Sequence, residues 1–252
     1  MIARRTQAEL EKMHRSGQVL HAVLQRVHAA VRPGVSTWDL EEVADTAMRE
    51  LGATSAFRGY HGYPCVLCVS VNEQVIHGIP SRKRALRAGE IVSLDCGVVV
   101  DGYYSDHAVT VMVGDAEAVP APSRKLLQVT QQALQAGIEQ ARAGNHLGDI
   151  SHAVQSHADA AGFGIVREFV GHGIGTHLHE DPQVPNFGAA GSGPKLRPGM
   201  VLAIEPMFNL GGPGVSVLAD GWTAVTTDGE ASAHFEHTVA VTDNGPWVLT
   251  GA

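Results

Sequence analysis

A chain of 252 residues with 44% hydrophobic and 17% charged residues has apolar material for a sizeable core and reads as globular rather than disordered. Its 18 lysines and arginines against 26 aspartates and glutamates give a formal charge of -8; this argues against a phosphate-backbone binder and leaves carboxylates free for a cation. The polar first twenty residues carry no signal-peptide core, no run nears the roughly 18–20 apolar residues of a membrane span, and three cysteines are too few for a disulfide framework. The chain therefore reads as cytoplasmic, with no membrane or nucleic-acid partner.

Residues 6–30 carry a helical period, with Leu20, Val23, Leu24 and Val27 on one face. His14, His21 and His28 recur every seven residues and read as a solvated stripe of that helix. A second helix is expected over Thr37–Leu51, with Gly52 as C-cap. Strands follow at Val66–Val71, Ile91–Leu94 and His107–Val113, all rich in β-branched residues. Cys65 and Cys68 form a C-x-x-C at the first of these and read as ordinary buried thiols. Asp101-Gly102 is turn chemistry between the other two. Helices at 123–141 and Leu147–Ala161, the latter closed by Gly162, precede strands at Met200–Ile204 and Thr238–Val241.

Two pairs of segments match at one offset. Val31–Leu40 aligns with Ala141–Ile150, keeping Arg32/Arg142, Gly34/Gly144 and Asp39/Asp149; Leu86–Asp95 aligns with Leu196–Glu205, again 110 residues on. A period this long marks a duplicated half-domain rather than a solenoid. The expectation is one α+β catalytic domain over 1–252, with pseudo-two-fold halves of about 1–115 and 116–252. The cleft between such halves is a natural place for a site.

The repeat aligns Asp95 with Glu205, each ending an apolar strand, where an isolated carboxylate is costly unless paired or metal-bound. A buried ion pair explains one such residue; two at equivalent positions favour a shared cation. Asp106 follows Asp95 by eleven residues across a turn, so a hairpin would bring the two together. Glu236 stands at the entry of the last strand and, with Glu205, could face that pair. His172 lies among glycines in Gly171-His-Gly-Ile-Gly175, and His77 and His179 are further candidates among 14 histidines. Four or five carboxylates with one histidine suit two divalent first-row ions. Such ions, about 3.5–4 Å apart, activate water and polarise a carbonyl.

The motifs Asn72–Pro80, Ser93–Gly97, Asp101–Asp106, Gly171–Gly175, Ala203–Met207 and Phe235–Thr238 together resemble the type I methionine aminopeptidases, in order and over nearly the whole chain. The resemblance implies the pita-bread fold: two related halves around a central mixed or antiparallel sheet, with helices outside. It implies that Asp95 and Asp106 bind one ion and that Asp106, His172, Glu205 and Glu236 bind the other, with Asp106 and Glu236 bridging. The ions would be cobalt, manganese, iron or zinc. Glu205 would also act as general base or proton shuttle, and His77 and His179 would contact the substrate amide and stabilise the tetrahedral intermediate.

A methionine pocket would be lined by Phe57, Tyr60, His61, Tyr63, Leu178 and Trp222. The implied partners are nascent polypeptide N-termini with a small second residue, with transient ribosome contact, for a monomeric enzyme. Phe57 departs from a smaller residue, often cysteine; Leu178 stands where phenylalanine is common; and His107 replaces a frequent threonine beside Asp106. The alternatives are an Xaa-Pro peptidase and a non-catalytic binding protein of the same fold. The first usually carries an extra N-terminal domain, and the second loses metal ligands, whereas all five ligand positions here hold metal-binding residues.

Overall fold

The computed structural model describes residues 2–251. Helix α1 (Gln7–Ala30) starts where Thr6 and Glu9 exchange side-chain and backbone bonds in a capping box. It buries Leu20, Val23, Leu24 and Val27 against the first-half strands. Helices α2 (Thr37–Glu50), α3 (Ala121–Gln140) and α4 (Leu147–Ala161) follow. Gly162 ends α4 in the left-handed region at φ 74°, where a glycine carries no Cβ penalty. No described helix is long and apolar enough to cross a membrane.

Nine strands form the central sheet: β1 (Thr54–Ser55), β2 (Leu67–Val71), β3 (Ile91–Val100), β4 (Tyr103–Met112), β5 (Gly171–Gly173), β6 (Glu180–Val184), β7 (Val201–Ile204), β8 (Glu236–Thr242) and β9 (Gly245–Val248). Their order is β1-β3-β4-β8-β7-β5-β6, with β2 also on β3 and β9 on β8, and every pairing is antiparallel. Two three-stranded sheets flank it. One joins Gly164–Ile165, Met207–Asn209 and Ser232–His234; the other joins Gln74–Ile76, Val215–Val217 and Ala224–Thr226.

The repeat has a hydrogen-bonded counterpart. Gly34 N–H donates to Leu86 O at 2.8 Å, and Gly144 N–H donates to Leu196 O at 3.0 Å. The isolated bridges Ser36–Ala85 and His146–Lys195 are likewise 110 apart, as are the capping boxes Ser36/Asp39 and His146/Asp149. The shared Arg-x-Gly turn and Asp are thus the same structural device used twice: a turn pinned by the chain that leads into β3 or β7.

Two expectations need correction. β3 does not stop at Leu94 but runs to Val100, because Cys96 and Val98 continue the buried face; Asp95 is therefore mid-strand. The histidine stripe is not solvated throughout. Only His28 is exposed, since α1 lies against the sheet and turns His14 onto Trp247 and His21 towards His107.

Gly17 of α1 packs so closely on the C-terminal segment that an added Cβ would lie 2.2 Å from the Leu249 carbonyl oxygen. Alanine would improve helix propensity by about 1 kcal/mol. The clash outweighs that gain, so Gly17→Ala should destabilise the protein by about 1–3 kcal/mol. Denaturant unfolding measures it, and a stabilised variant would contradict the packing.

Candidate metal centre

Sheet register brings the acidic residues together. Asp95 on β3 pairs with Ala108 on β4, and Ala108 pairs with Glu236 on β8, so the three side chains point to one face in a single row. Ala108, the small middle member, leaves that row open. Asp106 lies two residues before Ala108 on β4 and shares its face. His237 pairs with Ile204, so continuing the register by one residue sets Glu236 opposite Glu205, just past β7.

The backbone of these residues is tied down. Thr238 Oγ1 accepts the Asp106 N–H at 3.0 Å and donates to the Asp106 carbonyl at 2.8 Å. Asn186 Nδ2 donates to the Glu205 carbonyl at 3.0 Å.

His172 enters from β5. Gly171 and Gly173 make this strand possible, because added Cβ atoms would lie 2.4 Å from Ala203 O and 2.1 Å from Asp181 O. The His172 Nδ1 donates to the Gly173 carbonyl at 3.0 Å, so Nε2 turns its lone pair inward. That Nε2 is 3.6 Å from Glu205 Oε1 and 4.0 Å from Asp106 Oδ2. Possible ligand atoms of Asp106, His172 and Glu236 all lie within 4.8 Å of one another.

Burial raises Asp95, Asp106, Glu205 and Glu236 above the usual carboxylate range, and mutual repulsion adds to the rise at Asp106, Glu205 and Glu236. Burial also pushes His172 down to about 3, which keeps it neutral. Among the described residues no lysine or arginine forms an ion pair with any of the four carboxylates. Asp95 Oδ1 and Glu236 Oε1 are buried with no hydrogen-bond partner. Such orphaned oxygens are suited to accept a cation. The donor set fits divalent metal: hard oxygens and one neutral imidazole.

A cavity of about 130 Å³ opens on this cluster and is walled by Phe57, Tyr60, Tyr63, Leu178 and Trp222, with His77 and His179 beside them. Tyr63 meets Trp222 edge-on at 5.1 Å, and Tyr60 Oη bonds His179 Nδ1 at 2.7 Å. Arg5 pairs with Glu180, which also accepts the Thr176 and His177 N–H groups and so fixes the turn carrying Leu178 and His179. Phe57 lies so close to β3 that a Cβ on Gly97 would be 2.6 Å from its ring. His77 adopts φ 59°, a left-handed conformation costly for a non-glycine, and packs edge-on to Phe169 and Trp222.

Of the candidate pocket residues, the structure leaves out His61. The turn at Gly59–Gly62, with His61 at φ 47°, faces it to solvent against the edge of Tyr60. His107 also sits apart, since alternation on β4 turns its side chain to the opposite face from Asp106. Two residues were missed. Cys68, paired with Asp95 across β2 and β3, lines the cavity. His234, 2% exposed, holds Nε2 3.7 Å from Glu205 Oε2, and neither ring nitrogen has a hydrogen-bond partner. The repeat carries no signal for either; only the register of neighbouring strands reveals them.

Residues 11–243 match metallopeptidase family M24. The chain is 48% identical over 250 residues to a methionine aminopeptidase of Clostridium perfringens and 45% identical over 250 residues to that of Clostridium acetobutylicum, covering 99% of each chain in both cases. The crystal structure of methionine aminopeptidase from Thermotoga maritima superimposes with a TM-score of 0.97 at 44% identity, covering all of both chains. An Xaa-Pro dipeptidase from Bacillus anthracis shares the fold at a TM-score of 0.76 and 23% identity, with 99% of this chain covering 62% of that one. The chain thus has the pita-bread fold, and it belongs to metallopeptidase family M24 and, within it, to the methionine aminopeptidases.

Proposed function

We propose that the chain hydrolyses the N-terminal methionine from nascent proteins and peptides in a metal-dependent reaction that favours a small second residue. One observation carries the reading: a single cavity has an aromatic and aliphatic wall on one side and the buried carboxylate cluster on the other. An apolar first side chain against Phe57, Tyr60, Tyr63, Leu178 and Trp222 leaves its own carbonyl beside the acids. On this reading the enzyme works as a cytoplasmic monomer on nascent chains, in transient contact with the ribosome.

Two divalent ions (cobalt, manganese, iron or zinc), which Asp95, Asp106, His172, Glu205 and Glu236 would hold, would supply Lewis-acid polarisation and a more acidic water. Glu205 takes the proton of the attacking water and returns it to the leaving amine. Its two oxygens lie 3.6 Å from His172 Nε2 and 3.7 Å from His234 Nε2. Burial lowers His77 to about 4, so it meets the substrate as a neutral hydrogen-bond donor. His179, oriented by Tyr60, contacts the same amide from the other side. Donors held in place before the reaction stabilise the developing oxyanion without reorganising. The apolar wall excludes water from the methionine side chain.

Glu205→Gln should lower kcat by about 10²–10⁴-fold, the usual contribution of a positioned acid–base group. Full turnover by that variant, or by chelated enzyme, would contradict the scheme. In a peptide panel, Met-Ala-Ser should be cleaved, with Met-Lys and Ala-Pro peptides far slower; equal rates would sink the assigned specificity. His234→Leu should weaken divalent-ion binding measured by calorimetry by about 10–100-fold, while His234→Gln, which keeps a donor, retains most of it. Unchanged affinity in the leucine variant would reduce His234 to a space filler.

A further inference from the structure

The segment before α1 carries a largely buried cation that the proposed reaction does not use. The Arg5 and Glu180 side chains are 11% and 14% exposed, and Arg5 Nη2 reaches both carboxylate oxygens of Glu180. The Arg5 N–H donates to the Gly199 carbonyl at 2.7 Å, and Arg4 Nε donates to the Pro198 carbonyl at 2.8 Å. Both residues are thereby strapped to the turn that leads into β7. Gly175 makes room for the guanidinium, since an added Cβ there would lie 2.1 Å from Arg5 Nη2.

Glu180 is the hub of this contact. Its Oε1 also accepts the Thr176 N–H at 2.8 Å, the His177 N–H at 3.1 Å and the Thr176 hydroxyl at 3.2 Å. One carboxylate therefore closes the bend between β5 and β6. Burial alone would raise this carboxyl, yet Arg5 and the two N–H groups hold it below the usual carboxylate range. Two cavity residues ride on the bend and are held differently. Leu178 is 3% exposed and shares a buried cluster with Leu10 and Met13 of α1, so packing fixes it. His179 is exposed, and beyond its contacts with Tyr60 and His172 it depends on the backbone of the bend.

We propose that Arg5 is a positioning residue for hydrolysis: through Glu180 it sets the bend that aims the His179 imidazole at the substrate amide. The role presupposes the proposed aminopeptidase reaction. Removing one partner of a largely buried pair leaves the other charge uncompensated, so Glu180 without Arg5 turns towards water or takes a proton. Either change loosens its hold on the Thr176 and His177 N–H groups. A displacement of about 1 Å at a reacting centre costs on the order of 10²-fold in rate. Leu178 keeps its packing, so the methionine wall outlasts the loss of the ion pair while the aim of His179 does not.

The test measures kcat and KM for Met-Ala-Ser with Mn²⁺-loaded enzyme, together with Mn²⁺ affinity and melting temperature. Arg5→Ala should lower kcat by roughly 10–100-fold while KM and Mn²⁺ affinity change little. Arg5→Lys, which returns a cation to Glu180, should recover most of that rate. Gly175→Ala keeps Arg5 but puts a methyl where the guanidinium sits, and should reproduce the loss even where Arg5→Ala does not fold. In a His179→Ala background, Arg5→Ala should cost nothing further. Wild-type kcat in folded Arg5→Ala or Gly175→Ala, or an undiminished Arg5 effect without His179, overturns the role. No cleavage of Met-Ala-Ser by the wild type overturns the aminopeptidase reading and this role with it.

Discussion

Four carboxylates occupy one buried patch of a sheet, and among the described residues no lysine or arginine pairs with them. Burying even one ionised carboxylate costs several kcal/mol after relaxation. Ordinary proteins offset that with backbone donors or an arginine, yet Asp95 and Glu236 each keep an oxygen with no partner. The remaining compensation is a multivalent cation, and much of the local architecture serves to hold its ligands apart and still. Ala108 keeps the middle of the row open, Thr238 clamps the Asp106 backbone, and the Gly171 and Gly173 positions let β5 carry His172 between two close carbonyls.

Much of this was legible in the sequence because the chain states it twice. The equivalence of Asp95 and Glu205 follows from an offset of 110 that also governs the Gly34 and Gly144 turn bonds and the capping boxes. The helices were readable from apolar period and caps. What escaped depends on contacts between distant segments. The role of His234 exists only because Glu205 lies beside it, and Cys68 reaches the cavity only through its register with Asp95. That Gly171-His172-Gly173 forms a strand also depends on Ala203 and Asp181, neighbours in space that are not neighbours in sequence. His61 sits in an aromatic run yet faces solvent, since a tight turn rather than polarity sets its direction.

Strand alternation divides the sheet chemically. Asp106 and Glu236 project to the carboxylate side, while the next residues, His107 and His237, project to the helix side. A single-residue step along each strand thus places an acidic side chain on one face and an imidazole on the other. The His107 backbone N–H also donates to Asp106 Oδ1 at 3.1 Å, so the two faces share a hydrogen-bonded frame. A substitution at His107 is therefore felt on both.

On the proposed reading, a pair of divalent ions neutralises the buried carboxylates. The most direct measurement is anomalous diffraction at the manganese edge from crystals grown with Mn²⁺. Two peaks are expected, about 3.5–4 Å apart, both flanked by Asp106 and Glu236 and one beside His172. No anomalous density at these residues, under conditions where the enzyme is active, would contradict the account.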